Sequence, residues 1–410
     1  MGKSDEQLQG QWPAVSFETL PWHRDFDELQ LISKTARRKI RSTYEAAVPP
    51  RIANAHLYIP SGLACQIEEV TIQLARFDGE QRARGYNLPM LLLRSESSAS
   101  SQIEHLTSSV RNVALAEVVD DAPYNARLIA QNIAAMHRAL DTSGELSVAT
   151  IVDIHDALMG DSNVSPEDAL RHEQVWIGGT PFSPHGALFV PPTAERVPGA
   201  LDDLITFSRR EDLGAIAKAS LLHAQFETIH PFIDGNGRTG RTLLHNMLRD
   251  EGVLRQAVLP VSAGLLHNID AYMGAIDSYQ HGNPLPIIEE VLQALEVAVS
   301  IGRHVAEEID AVLESWKGRM RERAGSAILR LPEVLVEQPV VTKSYLAEHL
   351  DITDRATTNL VDRACSYGLL RPIGNRRRGE CYQADELIEV LEEISTIQGI
   401  RRMTMGRVGR

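Results

Sequence analysis

HPFIDGNGRTGR, residues 230–241, is the stretch on which the reading of this chain turns. Gly235 and Gly237 lack Cβ atoms, so backbone N–H groups there can approach an anion closely, and the loop opens into a helix whose N-terminal dipole favours negative charge. The result is an anion cradle. Arg238 and Arg241, one helical turn apart, present two forked guanidinium donors from the same face, the arrangement that suits the β- and γ-phosphates of a nucleoside triphosphate. Asp234 offers a hard carboxylate oxygen of the kind Mg²⁺ takes when it accompanies such a ligand and keeps most of its waters. Asn236 adds a neutral side-chain donor. His230 heads the loop, and its ordinary pKa lies nearest neutrality, as a base needs if it is to remove a hydroxyl proton before attack on the α-phosphorus. A glycine-rich turn alone reads as a plain helix connection. The same turn carrying His, Asp, Asn and two Arg does not.

Outward from the motif, apolar spacing predicts a helix over about 214–229 before the loop at 231–237, and another over about 238–251 after it. Upstream, 125–140 and 148–158 also read as helices. Between them and the motif, VWIGGTPFSPHGALFVPP sets β-formers on both sides of a Gly, Pro and Ser cluster, which predicts a hairpin over about 174–190. Residues 1–30 show no clear period and are expected to be a loosely ordered lead-in. Residues 31–120 read as a helical N-terminal region with a turn near 85–89, 121–290 as the core, and 291–324 as a linker helix. From 325 to 396 two helices joined by a tight turn are followed by RPIGNRRRGECYQ, the order of a winged helix, and 397–410 forms a tail. There Thr353 caps a helix carrying Arg355, Thr357, Asn359 and Arg363, while Arg376, Arg377 and Arg378 fall on the wing; DNA, a protein partner or a second copy would each suit such a module.

Composition sets bounds on these readings. The 410 residues exceed one ordinary core, and 43% hydrophobic with 23% charged residues belongs to globular proteins rather than disordered or fibrous ones. A formal net charge of −14 opposes nucleic acid as a whole, so contact with DNA requires a locally basic surface. Cys65, Cys365 and Cys381 are too scattered for a disulfide framework or a four-ligand zinc site, and they favour a reducing compartment. No run approaches a membrane span and the start is polar, so a cytoplasmic location away from membranes is expected.

Residues 230–241 match every defining position of His-x-Phe-x-Asp/Glu-Gly-Asn-Gly-Arg-x-x-Arg, and on them the chain resembles the Fic family. The resemblance implies a mainly α fold: a helical Fic core with a β-hairpin flap, preceded here by a helical N-terminal region and followed by the winged helix. It implies transfer of AMP from ATP to a Ser, Thr or Tyr hydroxyl of a target protein, self-modification included. His230 would be the base, Asp234 the Mg²⁺ ligand, and Gly235, Asn236, Gly237, Arg238 and Arg241 the phosphate contacts, with Phe232 anchoring the loop. Val175, Trp176, Ile177, Gly178, Phe189 and Val190 would form the flap that aligns an extended target segment.

Upstream, SSQIEH resembles the inhibitory Ser/Thr-x-x-x-Glu-Gly/Asn segment of the family, with Ser100 and Glu104 on one helical face. The resemblance implies that Glu104 restrains Arg241. His105 departs from the pattern, which has Gly or Asn there. Tyr272 falls near the aromatic position of the nucleotide pocket, although Met273 stands where a second tyrosine is frequent. Removal of AMP by the same site, and a DNA-binding regulator using the core as a sensor or oligomerisation unit, remain open beside the transferase reading; a homodimer is also expected.

Overall fold

The computed structural model describes residues 12–22, 40–82, 84–141, 145–159, 169–180, 182–374, 380–395 and 399–400. In chain order its elements are β1 (Ser16–Pro21), β2 (Thr43–Val48), α1 (Ser61–Arg82), α2 (Leu88–Ile103), α3 (Val110–Ala116), α4 (Tyr124–Asp141), α5 (Val148–Met159), α6 (Val197–Ser208), α7 (Ala215–Ile229), α8 (Asn236–Asp250), α9 (Val261–His267), α10 (Ile269–Gln280), α11 (Leu285–Arg319), α12 (Leu331–Glu337), β3 (Val340–Thr342), α13 (Lys343–Leu350), α14 (Asp354–Ser366), β4 (Arg371–Ile373), β5 (Cys381–Gln383) and α15 (Asp385–Ile394). Among the described residues the protein is mainly helical, as the apolar periodicity predicts, with two small sheets. Among the described residues no helix is long and apolar enough to cross a membrane.

Two compact units emerge. The first comprises 1–67, 142–250 and 270–290; the second comprises 68–141, 251–269 and 291–410. In the first, β1 and β2 pair antiparallel, with Ser16 opposite Val48 and Pro21 opposite Thr43. Trp12 is buried against Phe207 and Tyr279 just before β1. Residues 12–22 are therefore an ordered strand and anchor where the sequence predicts a loosely ordered lead-in, because the strand is fixed by a partner more than a turn away in sequence and not by local period.

The centre of this unit is α7. It is buried around almost its whole circumference, so it needs internal acceptors for its polar side chains. Ser220 donates to the Ile216 carbonyl at 2.7 Å and Thr228 to the Ala224 carbonyl at 2.8 Å. Gln225 donates to the Pro50 carbonyl at 2.9 Å and accepts the Tyr279 hydroxyl at 2.8 Å. Helices α6 and α8 pack on α7, and α5 packs on α8.

The second unit is organised around α2, which packs on α4, α9, α12 and α15. Leu93, Val113, Ile129, Ile133 and Met136 share one apolar cluster. The buried serine run of α2 is satisfied internally, for instance by Ser101 donating to the Ser97 carbonyl at 2.8 Å while accepting from Asn132 at 3.1 Å. Buried Asp78 on α1 accepts the backbone N–H groups of Arg255, Gln256 and Ala257, fixing the segment that leads to α9.

Toward the C-terminus the strands lie in the order β3-β5-β4, all antiparallel. Thr342 caps α13 through Tyr345 N–H, and Thr353 caps α14 through Ala356 N–H. Val340, Ile373, Cys381 and Ile388 bury against Ala114 and Leu115 of α3. The segments before residue 120 and after residue 325 thus share a core, whereas composition divides them in chain order. Arg376, Arg377 and Arg378 lie outside the described residues; Arg355 and Asn359 are exposed on α14, and Thr357 is buried.

Candidate active site

His230 is the C-cap of α7 and takes the left-handed conformation, φ 51° and ψ 62°. Glycine usually fills such a position, and another residue there costs about 1 kcal/mol. Neighbouring bonds hold it in place. Arg171 is buried and its Nε donates to the His230 carbonyl at 2.8 Å, while Nη2 reaches the Ile229 carbonyl at 3.4 Å. The same guanidinium donates to the Glu173 and Pro192 carbonyls, and Arg171 N–H donates to the Pro231 carbonyl at 3.0 Å. Burial brings the Arg171 pKa down to about 10, which still leaves it charged at neutral pH. His230 Nδ1 lies 3.3 Å from the Glu227 carbonyl and 3.9 Å from its carboxylate. A carbonyl can only accept, so Nδ1 is the donor in this contact.

After His230 the chain turns on Phe232, which is buried and stacked on His155 of α5 at 3.7 Å and 10°. Both polar atoms of the Asn236 side chain bond to the Phe232 backbone, at 2.9 and 2.8 Å, so this side chain shapes the loop. Gly235 has φ +79°, and its N–H donates to the Asp234 carboxylate at 2.7 Å. Helix α8 begins at Asn236 rather than 238, so Gly237 and Arg238 sit in its first turn, where helix amides have no intrahelical acceptor.

Arg238 and Arg241 are both buried on α8. Arg238 Nη2 donates to Met159 Sδ at 3.1 Å and lies 3.9 Å from the Asp234 carboxylate. Burial first, and then the charge of Arg241, push the His223 pKa down to about 3. His223 Nε2 is 2.8 Å from the Tyr272 hydroxyl, and both side chains are buried. Tyr272 thus spends its hydroxyl inside the unit. Met273 is half exposed.

The Asp234 side chain is 77% exposed. Among the described residues no group of three or more His, Cys, Asp and Glu side chains could hold a metal ion. An exposed carboxylate fits an ion such as Mg²⁺, which takes its other ligands from phosphates and water.

The flap is a looser structure than the strands its sequence predicts. Among the described residues of the flap, only Ile177 with Phe189 and Thr180 with Ser183 form bridges, because Gly178 and Gly179 both have φ near +75° and turn the chain out of extended geometry. Gly179 approaches Ala187 so closely that a β-carbon would lie 3.0 Å from its nitrogen. The flap is braced by the β1–β2 hairpin. Ala47 N–H donates to the Val190 carbonyl at 2.9 Å, and His185 Nε2 donates to the Thr43 carbonyl at 2.9 Å. Trp22 meets Tyr44, Trp176 and His185 edge-on. Val175 is half-buried beside this brace, and Leu188 at the tip is 87% exposed.

Ser100 and Glu104 belong to the second unit, where Ser100 is buried and Glu104 is the exposed C-cap of α2. His105 follows with φ 61°. Its N–H bonds to the Gln102 carbonyl at 2.9 Å and Leu106 N–H to the Ser101 carbonyl at 2.8 Å, which is a complete Schellman turn. His105 therefore adopts the backbone state that Gly or Asn would favour.

Sequence reasoning reached His230, the loop and both arginines of α8, and the structure brings them together with the flap in one unit. It missed Arg171, His155, Met159 and His223. Only the arginine in LRHEQVWIGG, just before the hairpin, lay near anything already singled out.

Fold and site together define a mainly helical protein in which a histidine caps one helix and a glycine-rich turn starts the next. Residues 145–248 match the Fic/DOC family. It is 28% identical over 217 residues to a probable protein adenylyltransferase of Aquifex aeolicus (strain VF5), covering 51% of this chain and 61% of that protein. It is 25% identical over 208 residues to protein adenylyltransferase fic-1 of Caenorhabditis briggsae, covering 50% and 35% respectively. The chain thus spans less than two thirds of the length of these curated relatives. In fold it is similar to a Fic family protein from Desulfovibrio desulfuricans G20, with a TM-score of 0.52 and 19% identity over 80% of this chain and 97% of that one.

Proposed function

We propose that this protein is an adenylyltransferase that moves AMP from ATP to a hydroxyl of a target protein. The observation that carries the reading is the setting of His230 at the head of the glycine-rich loop, with Nδ1 turned to the Glu227 carbonyl at 3.3 Å; its other ring nitrogen, Nε2, is the base. The target hydroxyl gives its proton to Nε2 as its oxygen bonds to the α-phosphorus. The bond from that phosphorus to the bridging oxygen breaks, and pyrophosphate leaves. Such a base contributes about 10²–10⁴ in rate. Gly235, Gly237 and the first-turn amides of α8 bind the phosphates, with Arg238 and Arg241 supplying charge and Asn236 holding the turn. Asp234 would hold Mg²⁺, which supplies charge neutralisation at the phosphates. The similarity to named adenylyltransferases supports the same reading.

The flap at 175–178 and 189–190 would align an extended stretch of the target, and residues 121–290 would form the catalytic core. Glu104 is a restraint built into the chain. The finished turn at His105 supports this, since it leaves the glutamate at a defined helix end with its side chain exposed.

Incubation with ATP labelled at the α-phosphate in one sample and the γ-phosphate in another tests the function. Protein should retain the α-label only, and more of it in Glu104→Gly; retention of the γ-label would mean phosphoryl transfer instead. A restraint reading fails if Glu104→Gly labels no more than the unaltered protein.

A further inference from the structure

We propose that His155 is a positioning residue that sets the orientation of the Asp234–Gly235 peptide, and through it the donor face of the loop. This deepens the nucleotide reading above and rests on it. His155 Nε2 is 3.0 Å from the Asp234 carbonyl oxygen. That oxygen can only accept, so Nε2 carries the proton. In a planar trans peptide the C=O and the following N–H point in opposite directions. Holding the Asp234 carbonyl against α5 therefore turns Gly235 N–H to the other side of the loop, where the Asp234 carboxylate meets it at 2.7 Å.

A peptide that precedes a glycine flips at low steric cost, because glycine accepts either sign of φ. Flipped, this one would break the bond from Gly235 N–H to the Asp234 carboxylate and swing that carboxylate at the entrance of α8. Two further contacts keep α5 on the loop. His155 stacks on Phe232, and Met159, one turn later on the same helical face, accepts from Arg238. Met159 Sδ lies only 2.7 Å from where a β-carbon on residue 235 would stand.

The test separates ring from donor. His155→Phe retains the stack and deletes the hydrogen bond, whereas His155→Gln places an amide donor near the same point. Two quantities are read: hydrogen exchange of residues 230–241 without nucleotide, and affinity for ATP by titration. His155→Phe should speed exchange and weaken ATP about tenfold each, the worth of one hydrogen bond; His155→Gln should recover both. Unaltered exchange in His155→Phe, or a Gln variant no better than Phe, overturns the proposal. If His155→Phe does not fold, His155→Asn, whose amide stops short of the carbonyl, takes its place with the same outcomes. Faster exchange in a protein that binds no ATP would sustain the positioning role and sink the nucleotide reading, so the two fail separately.

Discussion

Acid should destabilise the unit that holds the motif, and His223 should account for a measurable part of the loss. Its imidazole is fully buried beside Tyr272 and under the field of Arg241, and its pKa falls from 6.5 to about 3. An unfolded chain protonates this group near pH 6.5, long before the folded one does, so between those values the unfolded state binds more protons. Stability from this group is complete above the upper value and declines as pH falls toward the lower one. At about 1.4 kcal/mol per pH unit, the loss between pH 7 and pH 5 is about 2 kcal/mol. Urea titrations at those two pH values measure it. The chain has 14 histidines, so the informative quantity is the difference from His223→Gln, which keeps a donor toward Tyr272 but cannot titrate. The variant will be less stable overall, yet its loss between the two pH values should be smaller by about 2 kcal/mol. Equal losses in both proteins would refute the assignment of a buried neutral imidazole.

His105→Gly should stabilise the end of α2 by about 1 kcal/mol, since a left-handed residue loses its Cβ strain; a melting temperature that falls would show that the His105 side chain contributes more than its backbone costs. Gly240→Ala should cost about 1–3 kcal/mol, read by denaturant titration. Its β-carbon would lie 2.7 Å from Glu227 Oε1 and 3.0 Å from Phe226, wedging α8 from α7 beneath His230. Thr353→Ala should cost about 1 kcal/mol through the lost α14 cap, with no change in ATP affinity.

Helix α7 is legible because its apolar run is long and ends at a glycine-rich turn, and the expected 214–229 becomes Ala215–Ile229. The start of α8 is read two residues late, since Asn236 and Gly237 look like loop while their backbones already belong to the first turn. Strand β1 is not visible at all. Its six residues include a proline, and its register comes from Thr43–Val48, across a long intervening stretch. The supporting residues of the site are hidden for a related reason. His155 and Met159 show ordinary helical spacing, and nothing in that spacing says that their face meets the loop 75 or more positions later. Arg171 needs the carbonyls of Glu173, Pro192, Ile229 and His230 brought to one point, which only the folded chain does.

The most direct test of the account separates holding the nucleotide from reacting with it. In His230→Ala, ATP affinity by titration should match the unaltered protein, while transfer of AMP to protein falls by about 10² or more. Undiminished AMP transfer in this variant would contradict the account, because no other group in the loop is assigned to take the hydroxyl proton.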